Sequence, residues 1–358
     1  MNAILIPEKL KKYGYYKINV ENQQKPILNN FEINFDKFPA VRRHNNKVTM
    51  QIIDSHSHLW LKQDTVVDGH HLYTTTRGRS MFFDGERQML PPFMADGKNT
   101  AEIFIANMDY AQVGGAVVVQ EVIDGYQNDY LQEVAAKYPN RFFVCGMPRL
   151  GLESAEAEKM ISADDILNDV KALYSRGFKG IAIPGHRISR PMTDLLPAMK
   201  FMEEKNMIFS MCLADNANQI AEFQDVISEC KNLKIAIGHF GLATTENWES
   251  QILLARNANV YIESGGITWL YNSEFYPYPS AIKAIRKAAD LVGIDKLMWG
   301  SDYPRTICAI TYKMSYDFVI KSNELTDAEK AAFLGENAVK LYGFKDLPEL
   351  EYVKNMSE

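Results

Sequence analysis

The run Gln51-Ile52-Ile53-Asp54-Ser55-His56-Ser57-His58 decides between two architectures. Its first half, QIID (51–54), reads as a strand end. In an open doubly wound sheet, the turn after the first strand carries glycines that cradle a phosphate. Here that place holds His-Ser-His. Seven further short runs follow: GAVVVQ (115–120), FFVCG (142–146), GIAIP (180–184), MIFSMCL (207–213), KIAIG (234–238), NVYIES (259–264) and KLMWG (296–300). Several are apolar on consecutive residues, as expected of strands covered on both faces. Amphipathic stretches separate them. Residues 126–138 put Tyr130, Leu131, Val134 and Ala135 on one face and stop at Pro139. Residues 216–230 open on Asn216 as a cap and run apolar at Ile220, Phe223, Val226 and Ile227, and residues 280–293 run from Ser280 to Gly293. Eight strands alternating with helices predict an α/β fold, a (β/α)8 TIM-like barrel.

Residues 1–48 break this rhythm. They are rich in Lys, Asn and Gln, carry Pro7, Pro26 and Pro39, and read as an N-terminal extension lying on the surface or on a partner subunit. The barrel is expected over 49–358. Residues 61–98 read as a long loop over the strand-one end. The tail from 321 reads as a short helix, capped within Ser322–Glu324, and a closing helix.

Composition narrows the function classes. Lys and Arg total 39 against 45 Asp and Glu, a net charge of −6, without the basic stripe of a nucleic-acid binder. Cys145, Cys212, Cys230 and Cys308 form no cluster, which argues against a disulfide scaffold and a Cys-rich zinc site. No run of about 18 apolar residues spans a membrane, and MNAILIPEKLKKYGYY is too broken by charge for a signal peptide. The expectation is a soluble, cytoplasmic protein with a small-molecule substrate and no nucleic-acid or membrane partner. Monomer and homo-oligomer both stay open.

Two residues apart on a strand, His56 and His58 project to one side, and at the C-terminal end of a barrel strand that side is the mouth. Two neutral imidazoles make half of a divalent metal site. IAIGHFG places His239 just past the sixth strand, and LMWGSDYP places Asp302 just past the eighth. If the barrel closes, these groups converge, with Asp302 within roughly 8 Å of His56.

DSHSHLW, IAIGHFG and MWGSDYP, in this order, resemble the amidohydrolase superfamily, in particular its amidohydrolase-2 branch, over about residues 51–345. The resemblance implies a barrel with its centre at the strand C-termini. It makes His56 and His58 metal ligands, His239 a group that binds or polarises substrate, and Asp302 both ligand and general base. It departs from much of the superfamily at strand five, where MIFSMCLAD has no His. Lys179 precedes strand four rather than ending it, so no carboxylated Lys bridges two metals. One divalent metal ion, zinc first, or metal-independent action is expected. Cys212 reads as a small buried residue. Val119-Gln120, His239-Phe240-Gly241 and the run from Asn259-Val260 to Ser264-Gly265 are similar to the sugar-lactonase-like subgroup.

Gln120, His186, Arg187 and Arg305 are the expected substrate-binding groups, because a guanidinium fork matches a carboxylate. Arg190 stands near the same strand end. Arg77 and Arg79, with His70 and His71, read as solvated loop charge, whereas Trp60, Trp269 and Tyr303 read as either pocket wall or rim packing. The expected activity is hydrolysis of a lactone of a sugar acid or related carboxylate, with water activated by Asp302. The alternative is a metal-dependent decarboxylase of an aromatic or unsaturated acid. A barrel that only binds a sugar acid would need neither the His pair nor Asp302.

Overall fold

The structure is a computed structural model that describes residues 50–354 and Met356; the expected extension at 1–48 lies outside the described residues. Among the described residues there are twelve strands: β1 (Ile53–Ser57), β2 (Asp64–Val67), β3 (His70–Thr74), β4 (Arg79–Phe82), β5 (Gly85–Gln88), β6 (Gly115–Val118), β7 (Phe142–Gly146), β8 (Gly180–Ile183), β9 (Ile208–Met211), β10 (Lys234–Ile237), β11 (Val260–Glu263) and β12 (Leu297–Met298). β1 and β6 through β12 form one parallel sheet in chain order. The residues after β12 close it onto β1. Ser55 N–H donates to Trp299 O (2.9 Å), Asp302 N–H to His56 O (2.9 Å) and His58 N–H to Tyr303 O (2.8 Å). All eight runs expected as barrel strands contribute strands of this barrel: β1 runs on past QIID to Ser57, β7 fills FFVCG, and the other six are shorter than their runs.

The period of two explains why these runs are apolar throughout. Each of the eight strands turns one side chain into the barrel: Ile53, Val117, Cys145, Ala182, Ile208, Ala236, Tyr261 and Met298 form an inner cluster. Their neighbours, among them Val118, Ile181, Phe209, Ile235, Ile262 and Leu297, belong to the larger outer core under the helices. The helices follow the expected stretches, at Asn128–Lys137, Ala217–Glu229 with Asn216 as cap, and Pro279–Val292 closing at Gly293 (φ 90°).

Two expectations are corrected. Residues 64–88 are not a bare loop but a four-stranded antiparallel sheet in the order β2-β3-β4-β5. Its first hairpin pairs Val67 with His70 across Asp68-Gly69, both in the left-handed region (φ 51° and 78°), the type I′ geometry that suits Asp-Gly. Val67, Leu72, Phe82 and Met89 bury one face of this sheet in the outer core. At the other end, Thr326 rather than Ser322–Glu324 caps the tail helix. Its hydroxyl accepts from Glu329 N–H, and the Glu329 carboxylate accepts from Thr326 N–H, a capping box. Helices Asp327–Ala331 and Asn337–Tyr342 are joined by a π-type turn at Ala332–Glu336. Among the described residues, no helix is long and apolar enough to cross a membrane.

Candidate active site and metal-binding group

β1 reaches the mouth through a bulge. Asp54 pairs with Ala116 and Ser57 with Val118, so three steps on β1 face two on β6. Ile53 points into the barrel, and strict alternation would therefore send Ser55 and Ser57 inward. The extra residue reverses the phase and turns His56 and His58 to the mouth. Asp54 is left to tie the strand down, accepting from Ser301 N–H (2.8 Å), Ser301 Oγ–H (2.5 Å) and Tyr312 Oη–H (2.7 Å).

The four groups meet. His56 Nε2 lies 3.1 Å from His58 Nε2, His58 Nε2 lies 3.1 Å from Asp302 Oδ1, and His56 Nε2 lies 3.8 Å from Asp302 Oδ1. The His239 ring centroid is 4.7 Å from that of His56. His239 (φ 56°) and Asp302 (φ 58°) both occupy the left-handed region, which few non-glycine residues adopt and which recurs at functional sites. His239 Nδ1–H donates to Gly265 O (2.9 Å). Because a carbonyl only accepts, this fixes the tautomer, and neutral His239 offers a lone pair at Nε2. Burial, with His56 beside it, lowers its pKa and keeps it neutral.

Three carboxylates unremarked in the sequence surround this group. Glu263, at the end of β11, takes His56 Nδ1 at 2.6 Å on Oε1 and Gly265 N–H at 2.6 Å on Oε2. Burial pushes Glu263 up to about 8, while the N–H groups on its two oxygens, and a cation beyond His56 when one is bound, favour the charged form. Glycines make the room: a Cβ at Gly265 would sit 2.7 Å from His56 Cγ, one at Gly300 2.7 Å from His56 Cβ, and one at Gly238 2.7 Å from Glu263 Oε1. Asp124 receives both of its hydrogen bonds from Arg305 Nη2 (2.8 Å each) and stands 3.4 Å from His58 Nδ1. Glu121 pairs with Arg187 Nε (2.7 Å) and His186 Nε2 (3.1 Å). Burial alone would raise Glu121, but His186, Arg187 and Arg305 hold it well below the usual carboxylate range.

Asp302 is also held ionised. Burial opposes its charge, yet the His58 hydrogen bond and the Arg305 guanidinium, 3.5 Å away, keep its pKa far below the ordinary value. Trp269 Nε1–H donates to its other oxygen at 2.9 Å. Burial pushes His56 and His58 down to about 4, so both are neutral at pH 7.

The donor set fits one divalent ion. His56 Nε2, His58 Nε2 and Asp302 Oδ1 belong to a buried group whose ligand atoms lie within 4.8 Å of one another. His58 Nδ1 is a buried polar atom with no hydrogen-bond partner. A proton on Nε2 would serve Asp302 and leave Nδ1 bare before the Asp124 carboxylate. With a cation bound, the proton would stand on Nδ1 facing Asp124, and the three lone-pair atoms would converge on the ion in place of the His58–Asp302 hydrogen bond. Glu263 then supplies the outer carboxylate that aims His56.

His56, His58, His239 and Asp302 line a cavity of about 230 Å³, together with Ile183, Ser210, Cys212, Leu213 and Leu242. Ser210 and Cys212 occupy the strand-five position where a His was missed. Gln120 reaches the cavity, but its amide is committed: Nε2–H donates to Cys145 O (2.9 Å) and Asn128 Oδ1 (2.8 Å), and Oε1 accepts from Gln127 N–H (2.8 Å). Arg187 keeps its two Nη groups without a hydrogen-bond partner among the described residues. Arg190 lies elsewhere, bonded to the Glu158 and Ile161 carbonyls. Trp269 walls the cavity, whereas Trp60 and Tyr303 are fully buried packing, Tyr303 stacked 4.0 Å from Phe104. Arg77 is exposed, Arg79 pairs with Glu86, His71 bonds Asp64 (2.7 Å), and His70 is exposed on the small sheet.

No curated protein sequence matches the chain. Solved structures do. A probable 2-pyrone-4,6-dicarboxylic acid hydrolase from Acinetobacter baumannii, with citric acid bound, matches at TM-score 0.57 and 19% identity, over 82% of this chain and 100% of that one. An amidohydrolase from Burkholderia multivorans with bound zinc matches at 0.57 and 16%, over 83% and 100%. Amidohydrolase 2 from Bifidobacterium longum subsp. infantis matches at 0.52 and 18%, over 83% and 100%. At these identities the likeness is one of fold. The amidohydrolase family model matches residues 53–344, nearly all of the barrel, and the chain belongs to the amidohydrolase-2 family.

Proposed function

We propose that this chain is a hydrolase that opens a lactone of a sugar acid or a related carboxylate. The observation that supports it is Asp302, kept ionised between His58, Trp269 and Arg305 beside two neutral imidazoles, below a cavity whose rim carries Arg187. A divalent ion held by His56, His58 and Asp302 would acidify water and polarise a carbonyl. The weak basicity of Asp302 suits the second half of the reaction. It accepts a proton from the attacking water and returns it readily to the ring oxygen. The acyl carbon–water oxygen bond forms, the acyl carbon–ring oxygen bond breaks, and the product is an open hydroxy acid.

In this reading His239 binds substrate as an acceptor. With Nδ1–H fixed on Gly265 O, its Nε2 accepts a hydrogen bond from water or from a substrate hydroxyl. Arg187, with its Nη groups unengaged, is the cation for a substrate carboxylate. Arg305 and His186 hold the carboxylates Asp124 and Glu121, and so brace the site rather than meet substrate through the same atoms.

Acid release from a panel of aldonolactones, uronolactones and pyrone carboxylates, followed with a pH indicator on metal-supplemented protein, tests the reading. The substrate named for two of the similar structures, 2-pyrone-4,6-dicarboxylic acid, is a cyclic ester with two carboxylates and belongs in the panel. Acceleration of at least one member is expected. No acceleration by folded protein, or carbon dioxide release from an aromatic acid instead, contradicts it.

A further inference from the structure

A second cavity, of about 350 Å³, lies between the small antiparallel sheet and the barrel. It shares Ile123, Arg187 and Arg305 with the first cavity, so these three residues form the boundary between the two. Beyond them the chemistry changes. The small sheet contributes mainly apolar side chains, Val67, Leu72, Phe82 and Met89, all buried, and the exposed Phe83, with Asp68, His70 and Arg87 as its polar members. A hydrocarbon loses its water against the apolar side chains.

We infer that this chamber is a substrate subsite for an apolar substituent, an aryl ring or a short alkyl chain, carried by a molecule whose carboxylate or lactone lies at the Arg187 neck. The inference rests on the proposed hydrolytic reading and narrows it, from sugar acids to related carboxylates with a hydrophobic arm. Size agrees: a dry apolar cavity of about 150 Å³ binds benzene, and this one is more than twice as large. The arrangement also gives the small sheet a task. Its buried face forms one wall of the chamber at the mouth, so the segment between β1 and the first barrel helix selects the substrate.

Binding separates this inference from the hydrolytic reading. Calorimetry on the full chain compares butyrate with 4-phenylbutyrate, neither of which is a lactone. Burial of a phenyl group predicts 4-phenylbutyrate roughly 10- to 100-fold tighter. The Met89→Trp variant fills the chamber and lowers that ratio; a circular dichroism spectrum shows whether it is folded, and Leu72→Phe provides a second, gentler filling. Equal affinity for the two acids, or a ratio unmoved in a folded filled variant, overturns the subsite. In parallel, γ-lactones with lengthening 4-alkyl chains gain about fourfold in kcat/KM per methylene until the chamber is full. Failure to hydrolyse any of them, with the binding ratio intact, counts against the hydrolytic reading and leaves the subsite standing. Hydrolysis with a flat dependence on chain length counts against the subsite alone.

Discussion

Replacing Glu263 by Gln tests the site through a buried residue. The carboxylate serves two donors at once, His56 Nδ1–H on Oε1 and Gly265 N–H on Oε2, each at 2.6 Å. An amide has one acceptor oxygen, so one donor in a fully buried site must face an NH2 group. If His56 keeps its partner, Gly265 N–H is left unsatisfied, at a cost of about 1–3 kcal/mol. If Gly265 keeps its partner, His56 must move its proton to Nε2, the nitrogen required for ligation. Loss of an outer carboxylate typically costs about 10- to 100-fold in metal affinity. Competition against a chelating dye, with zinc and with manganese, reads the affinity, and thermal melting of the metal-free protein reads the stability. The expected result is weaker binding in that range and a lower Tm. Wild-type affinity together with wild-type Tm would refute the double-acceptor role.

Gly265→Ala places a Cβ 2.7 Å from His56 Cγ and pushes the ring from its position. The protein should fold with about 1–3 kcal/mol less stability and bind zinc at least tenfold more weakly, as measured by the same competition. Gln120→Ala removes an amide bonded to Asn128, Cys145 and Gln127, and should lower stability by about 1–3 kcal/mol in denaturant titration; a raised KM with unchanged stability would instead make it a substrate group. Native thiol labelling should modify Cys308 alone, because it is exposed and the other three cysteines are buried. Labelling should reach all four in denaturant; rapid native modification of Cys212 would contradict its burial.

The barrel was legible because its strands are buried on both faces. A run such as FFVCG supplies an inward Cys145 and outward neighbours from consecutive positions, and so stands out as an apolar block. The site was legible where a His or Asp ends such a block. Less visible was how β1 delivers its pair, since the bulge between Asp54 and Ser57 reverses the phase and leaves no mark in residue types. Glu263 was within reach: a carboxylate closing the apolar run NVYI and followed by Ser-Gly-Gly has no reason to be buried unless something opposes it. The small sheet carried its own signal in Asp68-Gly69, an Asp-Gly pair between β-rich segments. His71 and Tyr73, exposed on its outer face, and His70, exposed on the inner one, blurred the alternation. The tautomer of His239 depends on a carbonyl 26 residues away and has no local signature.

The most direct test of the central claim is the mass of the product formed in H₂¹⁸O from the best lactone in the panel, by wild type and by Asp302→Asn. Hydrolysis predicts one ¹⁸O in the product carboxylate, and a fall in kcat of about 10²- to 10⁴-fold in the variant with its fold intact. An unlabelled product, or a folded Asp302→Asn protein with undiminished kcat, would contradict the account.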